Sequence, residues 1–267
     1  MLMSMEVDVN IVIYGKGVTG FATGTMLENA GCAVFYNDPP KGIHVSAGVE
    51  PDWVFICVPT PTGDLSYVRA AARDAAKKYE GVPIVIRSTV PPGTHDILCK
   101  DNPQADFVMM PEFLREKTAV EDALRKDRAV FAAPNVYIAS RFYRFLLDVG
   151  FTGIQEVSVA EAELIKFLTN GLIAVKVAFA NVIYSLAQAT GADYQTLLSL
   201  LEADGRFGMY GLKVPGDHGL GYAGMCLPKD MGWLKLALEQ YGIDLGADVI
   251  QGIQDYNTEL RARQHCN

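Results

Sequence analysis

Short apolar runs separated by helical patterns dominate the chain up to about residue 110. The runs predicted as strands are 9–14, 33–36, 53–58, 83–87 and 106–110, with a weaker candidate at 136–138. The run 53–58 is continuously apolar, which is typical of a strand buried on both faces of a parallel sheet, and 83–87 and 106–110 are predicted as two further buried strands. Helical patterns at 21–29 and 66–79 lie between strands. This alternation predicts right-handed βαβ crossovers and an α/β fold with a doubly wound parallel sheet.

From about residue 159 the pattern becomes helical. The predicted helices are 159–189, 194–202, 231–241 and 247–263. We therefore predict two domains, an α/β domain over 1–157 and an α-helical domain over 158–267.

The first of these helices is unusually apolar between residues 164 and 189. It nevertheless carries Lys166, Asn170, Lys176 and Asn181 at near-helical spacing. Because a bilayer core strongly disfavours such groups, we expect a helix buried in the protein or between two subunits, and no membrane span.

A glycine-rich turn follows the first strand. Gly15, Gly17 and Gly20 form a GxGxxG pattern between a strand and a helix, and Asp38 ends the next strand. In this context the first glycine permits a tight turn, the second permits close approach of a pyrophosphate, and the third permits helix–strand packing. The helix N-terminus, with Val18 and Thr19, would offer free N–H groups to phosphates. An acid at the position of Asp38 accepts ribose hydroxyls and repels a 2′-phosphate, so NAD is favoured over NADP.

Polar residues also follow the ends of later strands. They are Thr60 in the turn after 53–58, Ser88 and Thr89 after 83–87, and the segment 112–116 after 106–110. Each turn alone fits ordinary capping chemistry. Together they predict one ligand crevice, because the carboxyl ends of parallel strands share one edge of the sheet.

Residues 219–230, GLGYAGMCLPKD, place a cysteine between a glycine-rich loop and a Pro-Lys-Asp turn. Glycines such as Gly221 leave room for a small substrate near Cys226, and Lys229 and Asp230 could set the ionisation of the thiol and organise water. The alternative is a buried structural cysteine.

Upstream, Lys166 and Asn170 share one helix face, where they either point at one substrate oxygen or form a solvated polar stripe.

Composition narrows the function classes. The 267 residues carry a net charge of −8 without a basic tract, which argues against nucleic-acid binding. The cysteines, Cys32, Cys57, Cys99, Cys226 and Cys266, and the histidines, His44, His95, His218 and His265, are dispersed. We therefore expect no disulfide framework, no metal site, and a reduced cytoplasmic protein without a signal peptide.

Six ordered motifs resemble the UDP-glucose/GDP-mannose dehydrogenase family. They are GKGVTG, CVPTPTG, RSTVPPGT, MPEFLREKTAVED, AELIKFLTNGLIAVKVAFANVI and GYAGMCLPKD, which together span residues 9 to about 238. The resemblance implies a Rossmann-type NAD-binding domain, a helical dimerisation domain, and a short form without the family's C-terminal sugar-nucleotide-binding domain. It also implies a nucleotide-sugar substrate, UDP-glucose or similar, whose C6 alcohol is oxidised twice to a carboxylate.

The resemblance also implies roles for individual residues. Cys226 matches the nucleophile that forms a thiohemiacetal and then a thioester, Lys166 and Asn170 match oxyanion-stabilising and substrate-holding groups, and Asp230 and Thr89 match groups that position water. The remaining matches are the acid/base Glu116, the cofactor contacts Thr60, Thr89 and Lys229, and the substrate contacts Glu112, Phe113, Leu114, Arg115, Arg206 and Gly221.

Two rival functions stay open at this point. One is an NAD-dependent dehydrogenase of a smaller alcohol, and the other is a non-catalytic NAD-binding interaction protein. Joint presence of Cys226, Lys166, Asn170, Asp230 and Thr89 argues against the second rival, because a decayed site would have lost some of them.

Overall fold

The computed structural model describes residues 9–264, so His265 and Cys266 lie outside the described residues. The chain forms two compact units, Met1–Lys166 and Phe167–Asn267. The domain boundary after residue 157 stays a prediction.

The first unit is built on a five-stranded parallel sheet in the order β2-β1-β3-β4-β5. Its strands are β1 (Asn10–Tyr14), β2 (Ala33–Asn37), β3 (Trp53–Ile56), β4 (Ile84–Ile86) and β5 (Phe107–Met109). The sequence patterns predicted all five, with ends that differ by one or two residues. Two further strands, β6 (Ala129–Phe131) and β7 (Ile154–Glu156), pair in parallel and were not predicted.

Helices cover both faces of this sheet, which confirms the doubly wound α/β fold. They are α1 (Val18–Glu28), α2 (Ser66–Lys78), α3 (Thr94–Asp101), α4 (Ala119–Arg125) and α5 (Val136–Val149). Ile11, Phe55 and Val85 point to the core face shared with α1 and α5, whereas Val12, Val54 and Ile84 point to the face shared with α2. This alternation follows from the two-residue period of a strand.

The strand candidate at 136–138 is wrong, because these residues form the first turn of α5. Asn135 caps the helix through its side-chain oxygen, which accepts the N–H of Ile138 at 3.0 Å. The buried residues Ile138, Phe142 and Phe145 then recur at helical spacing. The strand was predicted because the first turn of α5 contains β-branched residues, which are typical of strands, whereas the helical spacing appears only further along the helix.

The second unit is helical, as predicted. The boundary lies inside α6 (Val159–Thr190), and α7 (Tyr194–Asp204), α8 (Leu227–Gln240) and α9 (Asp244–Gln264) follow. Helix α8 starts four residues before the predicted position, with Pro228 in its first turn, where a missing N–H is tolerated. Tyr222, Met231 and Ile250 contribute to a buried cluster of this unit.

Among the described helices, α6 is the one long and apolar enough to cross a membrane. Its most apolar window has a mean hydropathy of 1.6, and 28% of that window is buried within the protein. Length and composition alone do not separate a membrane span from a helix covered by protein.

Candidate active site

The glycine turn after β1 has the geometry that its pattern predicts. Gly15 has a φ of 90°, and a Cβ there would lie 2.6 Å from the carbonyl oxygen of Cys57. A Cβ at Gly20 would overlap the carbonyl oxygen of Gly15. Gly17 differs, because it is the extended N-cap of α1 and a Cβ there would meet no atom of residues 9–264 within 4 Å. The fold itself therefore requires Gly15 and Gly20, whereas close approach of a ligand remains the reason for Gly17.

Asp38 follows β2 and contacts the glycine turn. Its Oδ2 accepts the backbone N–H of Lys16 at 2.8 Å and lies 3.3 Å from Nζ of Lys41. Helix α1 begins at Val18, so Val18 and Thr19 carry the first N–H groups of a helix without a side-chain cap. Open space at Gly17, uncapped N–H groups and an adjacent carboxylate fit the pyrophosphate and ribose of a dinucleotide.

The ends of β3 and β4 are tied together beside this turn. The hydroxyl of Ser88 donates to the carbonyl oxygens of Ile56 and Val58, at 3.3 and 2.8 Å. Thr60 is buried and Thr89 is half-buried after the same two strands. The structure therefore brings these two predicted residues to the carboxyl edge of the sheet.

Lys166 and Glu112 form a buried ion pair within the first unit. Nζ of Lys166 lies 2.8 Å from Oε1 of Glu112, and Oε2 of Glu112 accepts the N–H of Leu114 at 2.5 Å. Lys166 is 3% exposed and Glu112 is 6% exposed. The alternative of a solvated polar stripe is therefore wrong for Lys166. Such a pair provides a positive group that is fixed in position and shielded from water.

Asp230 is the centre of a second buried cluster, which lies in the second unit. It is 1% exposed, and its two carboxylate oxygens accept from Nδ2 of Asn170 at 2.5 Å and from Nζ of Lys229 at 2.6 Å. Asn170 is also buried, so it does not belong to a solvated stripe. This arrangement holds a carboxylate in a fixed orientation one helical turn from the cysteine.

Cys226 is the N-cap residue of α8 and is partly exposed. Its carbonyl oxygen accepts the N–H of Asp230 at 2.8 Å, which closes the first turn of the helix. Cys226 is therefore not fully buried, and its role as a nucleophile stays a prediction. The N-terminal end of a helix favours negative charge, so a thiol at this position is suited to ionise and act as a nucleophile.

The loop before Cys226 is held by side chains that the sequence patterns did not single out as site residues. Asn257 on α9 accepts from the N–H of Tyr222 at 2.7 Å and donates to its carbonyl oxygen at 3.0 Å. Asn181 on α6 accepts from the N–H of Gly221 at 3.2 Å. Gly221 has a φ of 73°, and a Cβ there would overlap Oδ1 of Asn257. Gly221 is thus required for the loop to pack against Asn257.

The remaining predicted residues lie on more exposed segments. Arg115 pairs with Asp122 at 2.5 Å, and the guanidinium of Arg128 lies 3.6 Å from the ring centre of Phe113. Glu116 is exposed and starts a short 3₁₀ helix. Arg206 extends into solvent after α7 and pairs with Asp204. The roles of Glu116 and Arg206 stay predictions.

Two models of one family match most of the chain. The NAD binding domain of the UDP-glucose/GDP-mannose dehydrogenase family matches residues 43–143, and the central domain of the same family matches residues 160–259. The chain belongs to the UDP-glucose/GDP-mannose dehydrogenase family. This membership confirms the resemblance drawn from the six motifs and the presence of an NAD-binding domain, although the matched region starts after the glycine turn.

Individual relatives agree with this assignment. UDP-glucose 6-dehydrogenase TuaD of Bacillus subtilis (strain 168) is 31% identical over 233 residues, and UDP-glucose 6-dehydrogenase of Rhizobium meliloti (strain 1021) is 38% identical over 228 residues. These alignments cover 82% and 79% of this chain and 48% of each relative. The chain thus spans about half the length of these curated relatives.

A solved structure resembles the fold closely. The UDP-glucose dehydrogenase from the hyperthermophilic archaeon Pyrobaculum islandicum superposes with a TM-score of 0.78 at 26% identity. The superposition covers 96% of this chain and 70% of that one.

Proposed function

We propose that the chain is an NAD-dependent nucleotide-sugar 6-dehydrogenase that oxidises the C6 alcohol of UDP-glucose, or a similar nucleotide sugar, to a carboxylate. The observation that carries this proposal is the buried carboxylate of Asp230, held by Asn170 and Lys229 one helical turn from the partly exposed Cys226. Family membership supplies the reaction class.

The cofactor in this proposal is NAD, held at the glycine turn by the N–H groups of Val18 and Thr19 and by Asp38, with Thr60, Thr89 and Lys229 as further contacts. When bound there, NAD would supply the hydride acceptor for each of the two oxidations. The carboxylate of Asp38 disfavours NADP, because the 2′-phosphate of that cofactor would lie against a like charge.

The proposed chemistry uses Cys226 as the nucleophile of the second oxidation. Its thiolate sulfur bonds to the aldehyde carbon and gives a thiohemiacetal, whose loss of hydride leaves a thioester. Attack by water then breaks the carbon–sulfur bond, which releases the carboxylate and restores the thiol. Asp230 and Thr89 would position that water, and Lys166 and Asn170 would stabilise the negative charge that develops on oxygen.

Further roles are proposed for the loop after β5. Glu112, Phe113, Leu114 and Arg115 would contact the sugar, together with Arg206 and Gly221 from the second unit. Glu116 would serve as an acid/base. The pairing of Glu112 with Lys166 supports a role for both residues in fixing the substrate oxygen.

The assembly proposed for the protein is a homodimer formed through α6, in the cytoplasm and without membrane insertion. A stripe of large apolar side chains on this helix is exposed, namely Leu164, Leu168, Leu172, Phe179 and Leu186. Exposed apolar stripes of this size are typical of protein interfaces. Glu163, Lys166 and Asn170 on the same helix are buried and hydrogen-bonded, which suits a protein environment better than lipid.

The decisive experiment measures NADH formation at 340 nm with NAD and a panel of UDP- and GDP-sugars. We expect about two NADH per sugar acid released, and no acid from Cys226→Ser, because an ester on serine hydrolyses more slowly than a thioester. The matched control is Ser199→Ala on the exposed face of α7. If NADH forms with small alcohols but not with nucleotide sugars, the result favours a dehydrogenase of a smaller alcohol. If NADH forms with neither kind of substrate, the result favours a non-catalytic protein.

A further inference from the structure

Glu163 on α6 is a buried carboxylate that the proposed chemistry does not use. It is 4% exposed. Its Oε2 accepts the backbone N–H of Gly93 at 2.7 Å, and its Oε1 accepts the backbone N–H of His95 at 2.8 Å. A buried carboxylate is unfavourable unless hydrogen bonds or cations compensate it. These two contacts therefore account for the burial of the side chain.

The two N–H groups that Glu163 accepts lie at the start of α3. Gly93 is the N-cap residue of that helix, has a φ of 89° and provides no side-chain cap. The first N–H groups of a helix have no acceptor within the helix, and the N-terminal end favours negative charge. Glu163 thus caps α3 from another helix, although it is 70 residues from Gly93 in the chain.

The loop between β4 and α3 carries Thr89 and is held at both ends. At its start, the hydroxyl of Ser88 donates to two carbonyl oxygens at and just after the end of β3. Pro91 and Pro92 restrict the backbone in the middle, and the hydroxyl of Thr94 donates to the carbonyl oxygen of Pro91 at 2.7 Å. The cap on α3 fixes the other end, so the position of Thr89 depends on that cap.

The same turn of α6 also carries Lys166. Glu163 and Lys166 are three residues apart, so they lie on one side of the helix about one turn apart. Lys166 pairs with Glu112, which lies in the loop after β5. All of these residues belong to the first unit. One turn of a helix therefore holds the loop after β4 and the loop after β5 relative to each other.

We infer that Glu163 is a positioning residue, which holds Thr89 in place relative to Lys166 for the hydrolysis of the thioester. The inference rests on the proposed function, in which Thr89 positions the attacking water and Lys166 stabilises charge on oxygen. A shift of about 1 Å in such a group slows a reaction by about 10²-fold. Both oxygens of a carboxylate accept hydrogen bonds, whereas the amide of a glutamine would turn a donor towards one of the two N–H groups.

The kinetic test mixes NAD and UDP-glucose rapidly with the unmodified full chain or with Glu163→Gln. We expect the first NADH to form at an unchanged rate in the variant, because the pair of Lys166 with Glu112 is untouched. Release of the sugar acid should be about tenfold or more slower. Mass spectrometry of the intact protein should then show the thioester adduct accumulating on Cys226.

The matched control is Glu161→Gln. Glu161 is an exposed glutamate of the same helix that likewise accepts a backbone N–H, from Ser158 at 2.8 Å. This variant should form NADH and release acid as the unmodified chain does. A merely structural role of Glu163 would slow NADH formation and acid release in parallel, or neither, and would overturn the inference.

If Glu163→Gln does not fold, Glu163→Asp provides the second variant. It keeps an acceptor-only carboxylate, but it is one methylene shorter and does not reach both N–H groups. The adduct should accumulate in this variant too, and acid release at the unmodified rate would contradict the inference.

Hydrogen exchange measured by NMR gives a readout that does not depend on activity. In Glu163→Gln the amides of Gly93 and His95 should exchange faster, whereas the amide of Leu114, which donates to Glu112, should not change. Unchanged exchange at Gly93 and His95 would overturn the inference whatever the activity. Absence of NADH with the unmodified chain would refute the proposed function, and accelerated exchange would still show that Glu163 holds the loop.

Discussion

The side-chain amide of Asn257 holds the backbone of Tyr222 at both of its polar atoms. It accepts from the N–H of Tyr222 at 2.7 Å and donates to the carbonyl oxygen at 3.0 Å, although the residues are 35 positions apart. Asn257 is 7% exposed, so these bonds form away from water. One residue on α9 therefore fixes the loop that ends at Cys226.

Asn257→Ala should loosen this loop. It removes two buried hydrogen bonds and leaves two backbone groups unsatisfied, so we expect a loss of about 2–4 kcal/mol in the free energy of unfolding. Denaturant unfolding measures this loss. We also expect kcat for the oxidation to fall while the affinity for NAD is unchanged. The neighbouring exposed substitution Thr258→Ala is the control, and equal effects of both variants would contradict a specific role for Asn257.

The stability of the protein should depend on both partners of the buried Lys166–Glu112 ion pair. Glu112→Gln leaves Lys166 as a buried cation without its counter-charge, so we expect the free energy of unfolding to fall by about 3–5 kcal/mol. Thermal and urea unfolding provide the measurement.

The double variant Glu112→Leu with Lys166→Met separates stability from function. It removes both charges, so stability should largely recover, whereas the oxidation rate should stay about 10²-fold or more below that of the unmodified chain. Recovery of activity together with stability would show that the pair is structural only.

The cysteines should differ in reactivity towards iodoacetamide. Burial raises the pKa of Cys32 to about 11 and that of Cys57 to about 12. At pH 8 both thiols are therefore almost entirely protonated, and the thiolate is the reactive form. We expect mass spectrometry to find Cys226 alkylated first. The reaction at Cys32 should accelerate only as the pH rises towards 11, and faster labelling of Cys57 than of Cys226 at pH 8 would be inconsistent with this prediction.

The apolar stripe of α6 should decide the oligomeric state. Leu168 is 65% exposed and Leu172 is 57% exposed, so charges at these positions would not disturb a buried core. We expect sedimentation equilibrium at micromolar concentration to report a dimer for the unmodified chain and a monomer for Leu168→Glu with Leu172→Glu. The exposed substitution Leu245→Glu on α9 serves as the control. A monomeric unmodified chain would disprove the dimer.

The sequence alone determined the elements whose signals are local. The five strands of the main sheet, the glycine turn and α6 could all be predicted, because side-chain periodicity and glycine geometry depend on residues a few positions apart. Reliance on neighbouring residues also caused the wrong strand prediction at 136–138. Three consecutive β-branched or aromatic residues there are typical of a strand, whereas the helical pattern becomes visible only over the whole length of α5.

Only the tertiary structure decided which polar groups meet. Lys166 and Glu112 are 54 residues apart, and Asn170 and Asp230 are 60 apart, so neither contact leaves a trace in local spacing. In the sequence, Lys166 and Asn170 fit a solvated polar stripe as well as a substrate site. The structure shows that both side chains are buried. Arg87 was likewise predicted as the last residue of a strand, and only the packing around β4 removes it from water and leaves its Nε without an acceptor among the described residues. Burial and hydrogen-bond partners depend on how distant elements pack, and this packing is what gives an ordinary polar residue its chemistry.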